Sequence, residues 1–391
     1  MNKTFWLQPI IWRLLALCLL LGLAGASVFP VLSTHLSTNI GVSPLWIGVF
    51  FAANTLAGIG VSQWLANKSD RGLSRLTILI VAISASTLGS IGLGFINWYP
   101  ALLVAGMVWF GLSSTAQPQL FALAREQVND KEAALFQSVL RATISISWIA
   151  GPPLAYLLFE MIGFRNLMLI TAGLFALCLA LLPGLKDSRL APAKPQTPGV
   201  RDPRILGLML VMAAIFAANS MYIVYMPLYV RDSLQLIGIA PGLLMGLAAG
   251  LEVPIMIIGG ALSHRWSLFG PLRLAALCGI GFYVGVWWFD TFPALMMLQV
   301  LNAFLVGLAA GLGISVFQTL MKDRLGMAST LYTNAIKTGS LAGSSLGGVV
   351  AYIGGYDWVF IGCALLALTA LVFVQWVSYK SPPASPSDTT Q

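Results

Sequence analysis

One carboxylate, Glu252, stands deep inside an apolar stretch of this chain, and two cations, Arg141 and Lys337, interrupt two other stretches. Holding a charge at the middle of a bilayer costs about 3 kcal/mol on membrane-insertion scales. A chain that keeps one there places it in a water-filled cavity, pairs it with an opposite charge, or lets it take up and release a proton. Glu252 is therefore either a proton-exchanging carboxylate or one side of a static salt bridge, with Arg141 or Lys337 as partner.

Arg141 lies in the apolar run 135–160, where small residues recur every fourth position at Thr143, Ser147, Gly151 and Ala155. At about 100° per residue, Ser145 and Trp148 fall within about 40° of Arg141, whereas Thr143 falls about 200° away. One face of this helix can then pack closely on a neighbour, while Arg141, Ser145 and Trp148 face a cavity. An indole there stacks on the apolar face of a bound ligand and the guanidinium donates to its hydroxyls. Alternatively the arginine snorkels to the headgroups and the tryptophan is interfacial. Lys337 follows 196 residues later, ahead of Gly339, Gly343, Gly347 and Ala351 at the same spacing, with Asn334 three residues before it. It either meets substrate hydroxyls, pairs with Glu252, or snorkels.

An uncharged polar ligand also needs amide and hydroxyl partners near the midplane. Asn54, Gln117, Asn219, Tyr222, Tyr225, Asn302 and Gln318 can supply them, although each also suits an ordinary interhelical hydrogen bond of about 1 kcal/mol. Four cysteines scattered through apolar stretches and two histidines offer no metal-ligand spacing. No nucleophile–base pair stands in the loops, which argues against an enzyme.

These residues sit in a chain of 391, of which 58% are hydrophobic and 9% charged, with mean hydropathy +0.87. Soluble domains are about a quarter charged. The composition specifies an all-α polytopic membrane protein embedded in a lipid bilayer, with no polar block left for a soluble domain. Hydropathy predicts twelve spans near 11–33, 44–66, 76–96, 100–124, 134–159, 164–185, 204–230, 238–262, 272–290, 293–320, 325–353 and 357–379. All 21 Lys and Arg except Arg141, Arg165, Arg231 and Lys337 fall in the N-terminal segment, in alternate loops or at the C-terminal end. This pattern places both termini in the cytoplasm and accounts for the net charge of +8 without nucleic acid. Ala24-Gly25-Ala26 has the form of a signal-peptidase site, but the apolar run continues past it and reads as the first span.

Residues 186–203, rich in proline and mixed charge, read as a flexible cytoplasmic linker between six-helix bundles at 1–185 and 204–380; 381–391 read as a disordered tail. The halves repeat. Pro30, Gly41 and Pro44 match Pro227, Gly238 and Pro241 at an offset of 197, and Gly111, Phe121 and Ala155 match Gly307, Phe317 and Ala351 at 196. Equal polarity makes this a parallel repeat about an axis normal to the membrane.

Six plus six spans, a polar central linker and a parallel repeat resemble the major facilitator superfamily. Asp70-Arg71-Gly72-Leu73-Ser74-Arg75 resembles its cytoplasmic loop motif, with Ala66 where the leading glycine is usual and the Gly and basic positions shifted. Gly151-Pro152 resembles the core of its antiporter motif, with Ser138, Ser147 and Ala155 replacing other glycines. The resemblance implies a cytoplasmic gate at Asp70, Arg71, Gly151 and Pro152. It also implies spans one, four, seven and ten around a central cavity, which favours Asn219, Tyr222 and Asn302 as ligand contacts. Pro44-Leu45-Trp46-Ile47-Gly48, Ala57-Gly58-Ile59-Gly60-Val61-Ser62, Pro118-Gln119-Leu120-Phe121-Ala122 and Ala248-Ala249-Gly250-Leu251-Glu252-Val253-Pro254 are similar to the bacterial sugar efflux transporter (Set) family. That closer resemblance implies proton-driven export of glucosides, galactosides and related small sugars across the bacterial inner membrane, by a monomer without a cofactor. The alternatives are a multidrug:proton antiporter of the same architecture and, third, a non-transporting membrane sensor or enzyme.

Overall fold

The computed structural model describes residues 6–70, 73–128, 130–185, 202–236, 238–262, 266–321 and 324–380. Among them, ten stretches are long and apolar enough to cross a membrane. One of these, Leu135–Ala180, is folded in two at Gly163. Leu325–Gly354 adds a 30-residue helix that is less apolar because it carries Asn334, Lys337 and many small residues. The expected twelve spans result, and no strand occurs among the described residues. In chain order they are α1 (Pro9–Thr38), α2 (Pro44–Asp70), α3 (Arg75–Phe95), α4 (Tyr99–Glu126), α5 (130–162) and α6 (164–180). The second half follows as α7 (Pro203–Leu228), α8 (Ala240–Ala261), α9 (Gly270–Trp288), α10 (Phe292–Leu320), α11 (Leu325–Gly354) and α12 (Tyr356–Tyr379).

Local sequence sets the breaks. Gly163 (φ 78°, ψ 167°) and Gly355 (φ 86°, ψ 176°) take a backbone conformation that side chains rarely adopt, and each reverses the chain between the last two helices of its half. The expected fourth span is not continuous. It is interrupted at Ser114 and Thr115, because Pro118 removes a backbone donor and its ring crowds the carbonyl four residues back. Beyond Pro227, α7 widens into a π turn at Tyr229–Ser233. At the start of α7 the Asp202 carboxylate accepts from the Arg204 backbone N–H at 2.8 Å and pairs with the Arg204 guanidinium at 2.7 Å. The guanidinium holds that carboxyl below its ordinary value of 3.8.

The two small-residue stripes seat α5 on α1 and α11 on α7. The Ser147 hydroxyl donates to the Leu19 carbonyl at 3.2 Å, and Gly151 lies against Ala26. In the second half a Cβ at Gly339 or Gly343 would fall 2.2 Å or 2.1 Å from the carbonyl oxygens of Ala213 and Ala217. Only glycine allows helices to approach this closely.

The halves meet through α5 on α8 and α2 on α11. Both contacts lie toward the end of the bundle opposite the chain termini. A Cβ at Gly242 would come within 2.6 Å of Pro152, one at Gly246 within 2.7 Å of Ile149, but one at Gly250 no nearer than 3.9 Å to Ile149. The helices therefore splay toward the terminal end. Buried side chains divide in the same way. Val31, Ile47, Phe50, Leu102 and Tyr156 join one core with the second half, whereas Leu14, Leu79, Leu120 and Leu140 form a core of their own. Residues 186–201 and 381–391, expected as linker and tail, lie outside the described residues.

Candidate functional site: a cavity walled by the first half

A cavity of about 430 Å³ lies among α1 to α6, with Lys337 of α11 reaching it from the second half. Its volume falls within the usual range for small-ligand sites. Phe29, Leu93 and Phe110 give it apolar walls, and Asn54, Ser86, Ser90, Ser113 and Gln117 give it hydrogen-bonding groups. Trp109 and Trp148 also line it. Neither indole N–H has a hydrogen-bond partner among the described residues.

Asn54 is fixed by a 2.7 Å bond from Nδ2 to the Phe50 carbonyl. Its Oδ1 is buried without a partner. Trp109 is fixed by glycine: a Cβ at Gly89 would lie 2.8 Å from its Cβ and Cγ, and one at Gly92 would strike the far edge of the ring at 1.9 Å. The indole therefore runs along α3, seated on that helix on one side and bordering the cavity on the other. Sequence reasoning named Asn54 among the amides but missed Trp109. The paired glycines three residues apart on α3 are the signal that a large side chain lies there.

Of the expected ligand contacts, Trp148 and Lys337 border this cavity. Arg141 is exposed on α5, nearer the terminal end, and acts electrostatically on the Tyr332 hydroxyl of α11. Asn334 is half-buried one turn before Lys337, and Asn219 is half-buried on α7. Tyr222 and Asn302 are buried inside the second half, where both donate to Gln299 Oε1 at 3.0 Å. The structure does not bring Asn219, Tyr222 and Asn302 to the cavity.

Glu252 is half-buried on α8 and acts electrostatically on Tyr222. Among the described residues no hydrogen bond or ion pair holds its carboxylate. The salt bridge to Arg141 or Lys337 is not made in this state. Of the expected gate residues, Arg71 lies outside the described residues, as does the Asp70 side chain. Gly151 and Pro152 lie in the far half of α5, against Ala26 and Gly242, where the two halves close. Beside that closure, Tyr225 donates to the Ser344 carbonyl at 3.2 Å. A void just large enough for one water is lined there by Tyr156, Glu160 and Arg231.

The profile of the Major Facilitator Superfamily matches residues 14–325 and 267–391. The chain belongs to that superfamily. Within it, the chain is 38% identical over 360 residues to sugar efflux transporter A of Escherichia coli (strain K12), covering 90% of this chain and 92% of that one. It is 36% identical over 366 residues to sugar efflux transporter B of Salmonella typhimurium, covering 92% and 93%. Among solved structures, a bacterial homologue of the human lysosomal transporter Spinster, inward-facing and occupied, superimposes with a TM-score of 0.77 at 14% identity, covering 96% of this chain and 98% of that one. The nucleoside transporter NupG superimposes with a TM-score of 0.77 at 12% identity over 96% of this chain and 100% of its own. These last two share the superfamily fold, and this chain is a multi-pass membrane protein built on it.

Proposed function

We propose that this protein exports small sugars or glycosides from the bacterial cytoplasm across the inner membrane, in exchange for entering protons. Halves 1–185 and 204–380 rock about a central site in a self-sufficient monomer with both termini cytoplasmic. The terminal end, where α5 and α8 splay, then faces the cytoplasm, and the sealed end carrying Gly151 and Pro152 faces outward. What supports the sugar reading is the cavity: two indoles, an unpartnered amide oxygen, several hydroxyls and one cation suit a neutral polyol. The sugar efflux relatives align over nine-tenths of the chain. Glu252, without an ion-pair partner among the described residues and set in the half that does not wall the cavity, is the proposed proton carrier. Asn219 and Asn334 then join the ligand only as the halves move, Tyr222 and Asn302 stay bonded to Gln299 inside the second half, and Arg141 stands at the cytoplasmic approach.

The test is counterflow in vesicles of purified protein loaded with lactose or a thiogalactoside, with and without an inward proton gradient. Exchange that the gradient accelerates is expected. Exchange unaffected by the gradient would remove the proton, and absence of exchange would remove the sugar. The apolar walls favour one second reading, a multidrug:proton antiporter. Competition by galactosides against cationic dyes separates the two.

A further inference from the structure

We propose that Asn54 and Trp109 together select the sugar, with Trp109 as the stacking platform and Asn54 as the acceptor for one particular ring hydroxyl. This rests on the sugar reading and assigns a subsite within it. A pyranose presents a face of C–H groups and a rim of hydroxyls, so it is recognised by an aromatic face beside a directed hydrogen-bonding group. Trp109 cannot swing away, because α3 holds it at Gly89 and Gly92. Asn54 cannot rotate freely either. Its Nδ2 is committed to the Phe50 carbonyl, and a Cβ at Gly106 would lie 2.8 Å from its Oδ1. Asn54 is only 5% exposed and lines the cavity, and its Oδ1 has no hydrogen-bond partner among the described residues. A hydroxyl arriving in the right orientation satisfies it, whereas a sugar lacking that hydroxyl leaves a buried acceptor empty. The pair thus reads stereochemistry, not merely size.

The test uses the purified full-length protein in vesicles and counterflow of lactose against a panel of monodeoxy galactosides. In the wild type, one deoxy position is expected to raise KM about tenfold over the others. Asn54→Leu is expected to erase that difference, and Trp109→Ala to raise KM for every sugar with Vmax little changed. Gly92→Ala, which touches no sugar, displaces the indole and is expected to reproduce the Trp109 effect in milder form. Melting in detergent checks that each variant folds. Should a variant fail to fold, the wild-type panel still decides, since a flat response across all deoxy positions overturns the proposal. Lactose exchange by the wild type with unchanged KM in Asn54→Leu and Trp109→Ala would overturn this assignment alone. Absence of any sugar exchange by the wild type would overturn the export reading along with it.

Discussion

Gly48 of α2 and Gly348 of α11 stand backbone to backbone at the sealed end: a Cβ added to either would lie 2.9 Å from the Cα of the other. The Tyr225 hydroxyl lies as near to the first of those positions, at 2.9 Å. No side chain larger than hydrogen fits without moving a helix.

Gly48→Val is accordingly predicted to favour the conformation in which this end opens. Overpacking of this kind costs about 1–3 kcal/mol, enough to shift a two-state population severalfold to a hundredfold. Thr34→Cys, buried beside the closure, reports it. Its labelling by a membrane-impermeant reagent from the outer side is expected to rise in the Gly48→Val background. Unchanged labelling would mean that α2 and α11 do not form the seal.

Glu252→Gln keeps the shape of the side chain and removes its proton chemistry. We predict that sugar counterflow persists while acceleration by an inward proton gradient disappears. A mutant that still couples would transfer the role to another group.

Arg75 at the start of α3 pairs with Glu126 at the end of α4 at 2.8 Å, with the Glu126 side chain only 5% exposed. Arg75→Ala leaves a buried, uncompensated carboxylate and is predicted to destabilise by about 3 kcal/mol. Glu126→Gln leaves the more exposed partner and should cost less. Melting of the two variants in detergent gives the order, and the reverse order would show that the carboxylate has another source of compensation.

Asp202 supplies a pH test. Its carboxyl is held below 3.8 in the folded chain by Arg204, so its stabilising contribution is present above that ordinary value and lost as pH falls through the lower, folded one. Asp202→Ala is predicted to lower the melting temperature at pH 7, by the loss of a helix cap worth about 1 kcal/mol. The gap from the wild type should narrow below pH 3.8. A gap independent of pH would point to the cap's shape, not its charge.

Much of the architecture was legible in the residues. Hydropathy marked the spans, the offset of 196–197 exposed the repeat, and the stripes of Thr143 to Ala155 and Gly339 to Ala351 announced which helices would touch. The break in α4 was readable in principle from Pro118. The site was less legible, because periodicity shows which face of a helix is polar but not which helix lies opposite it. Tyr222 and Asn302 read as ligand contacts until their shared bond to Gln299 showed them serving each other. Trp109 looked interchangeable with other membrane tryptophans, since its meaning lies in glycines on another helix.

The seal between the halves, finally, is made of contact and not of charge: among the described residues no ion pair bridges α2 to α11 or α5 to α8. Coulomb attraction fades gradually with distance, but dispersion between touching backbones is substantially forfeited within about an ångström of separation. A joint of this kind behaves as a latch and not as a spring. It is either shut or released, with little stability for anything ajar. For a protein standing between two compartments, that abruptness is itself protective, because a half-open seal would be a leak.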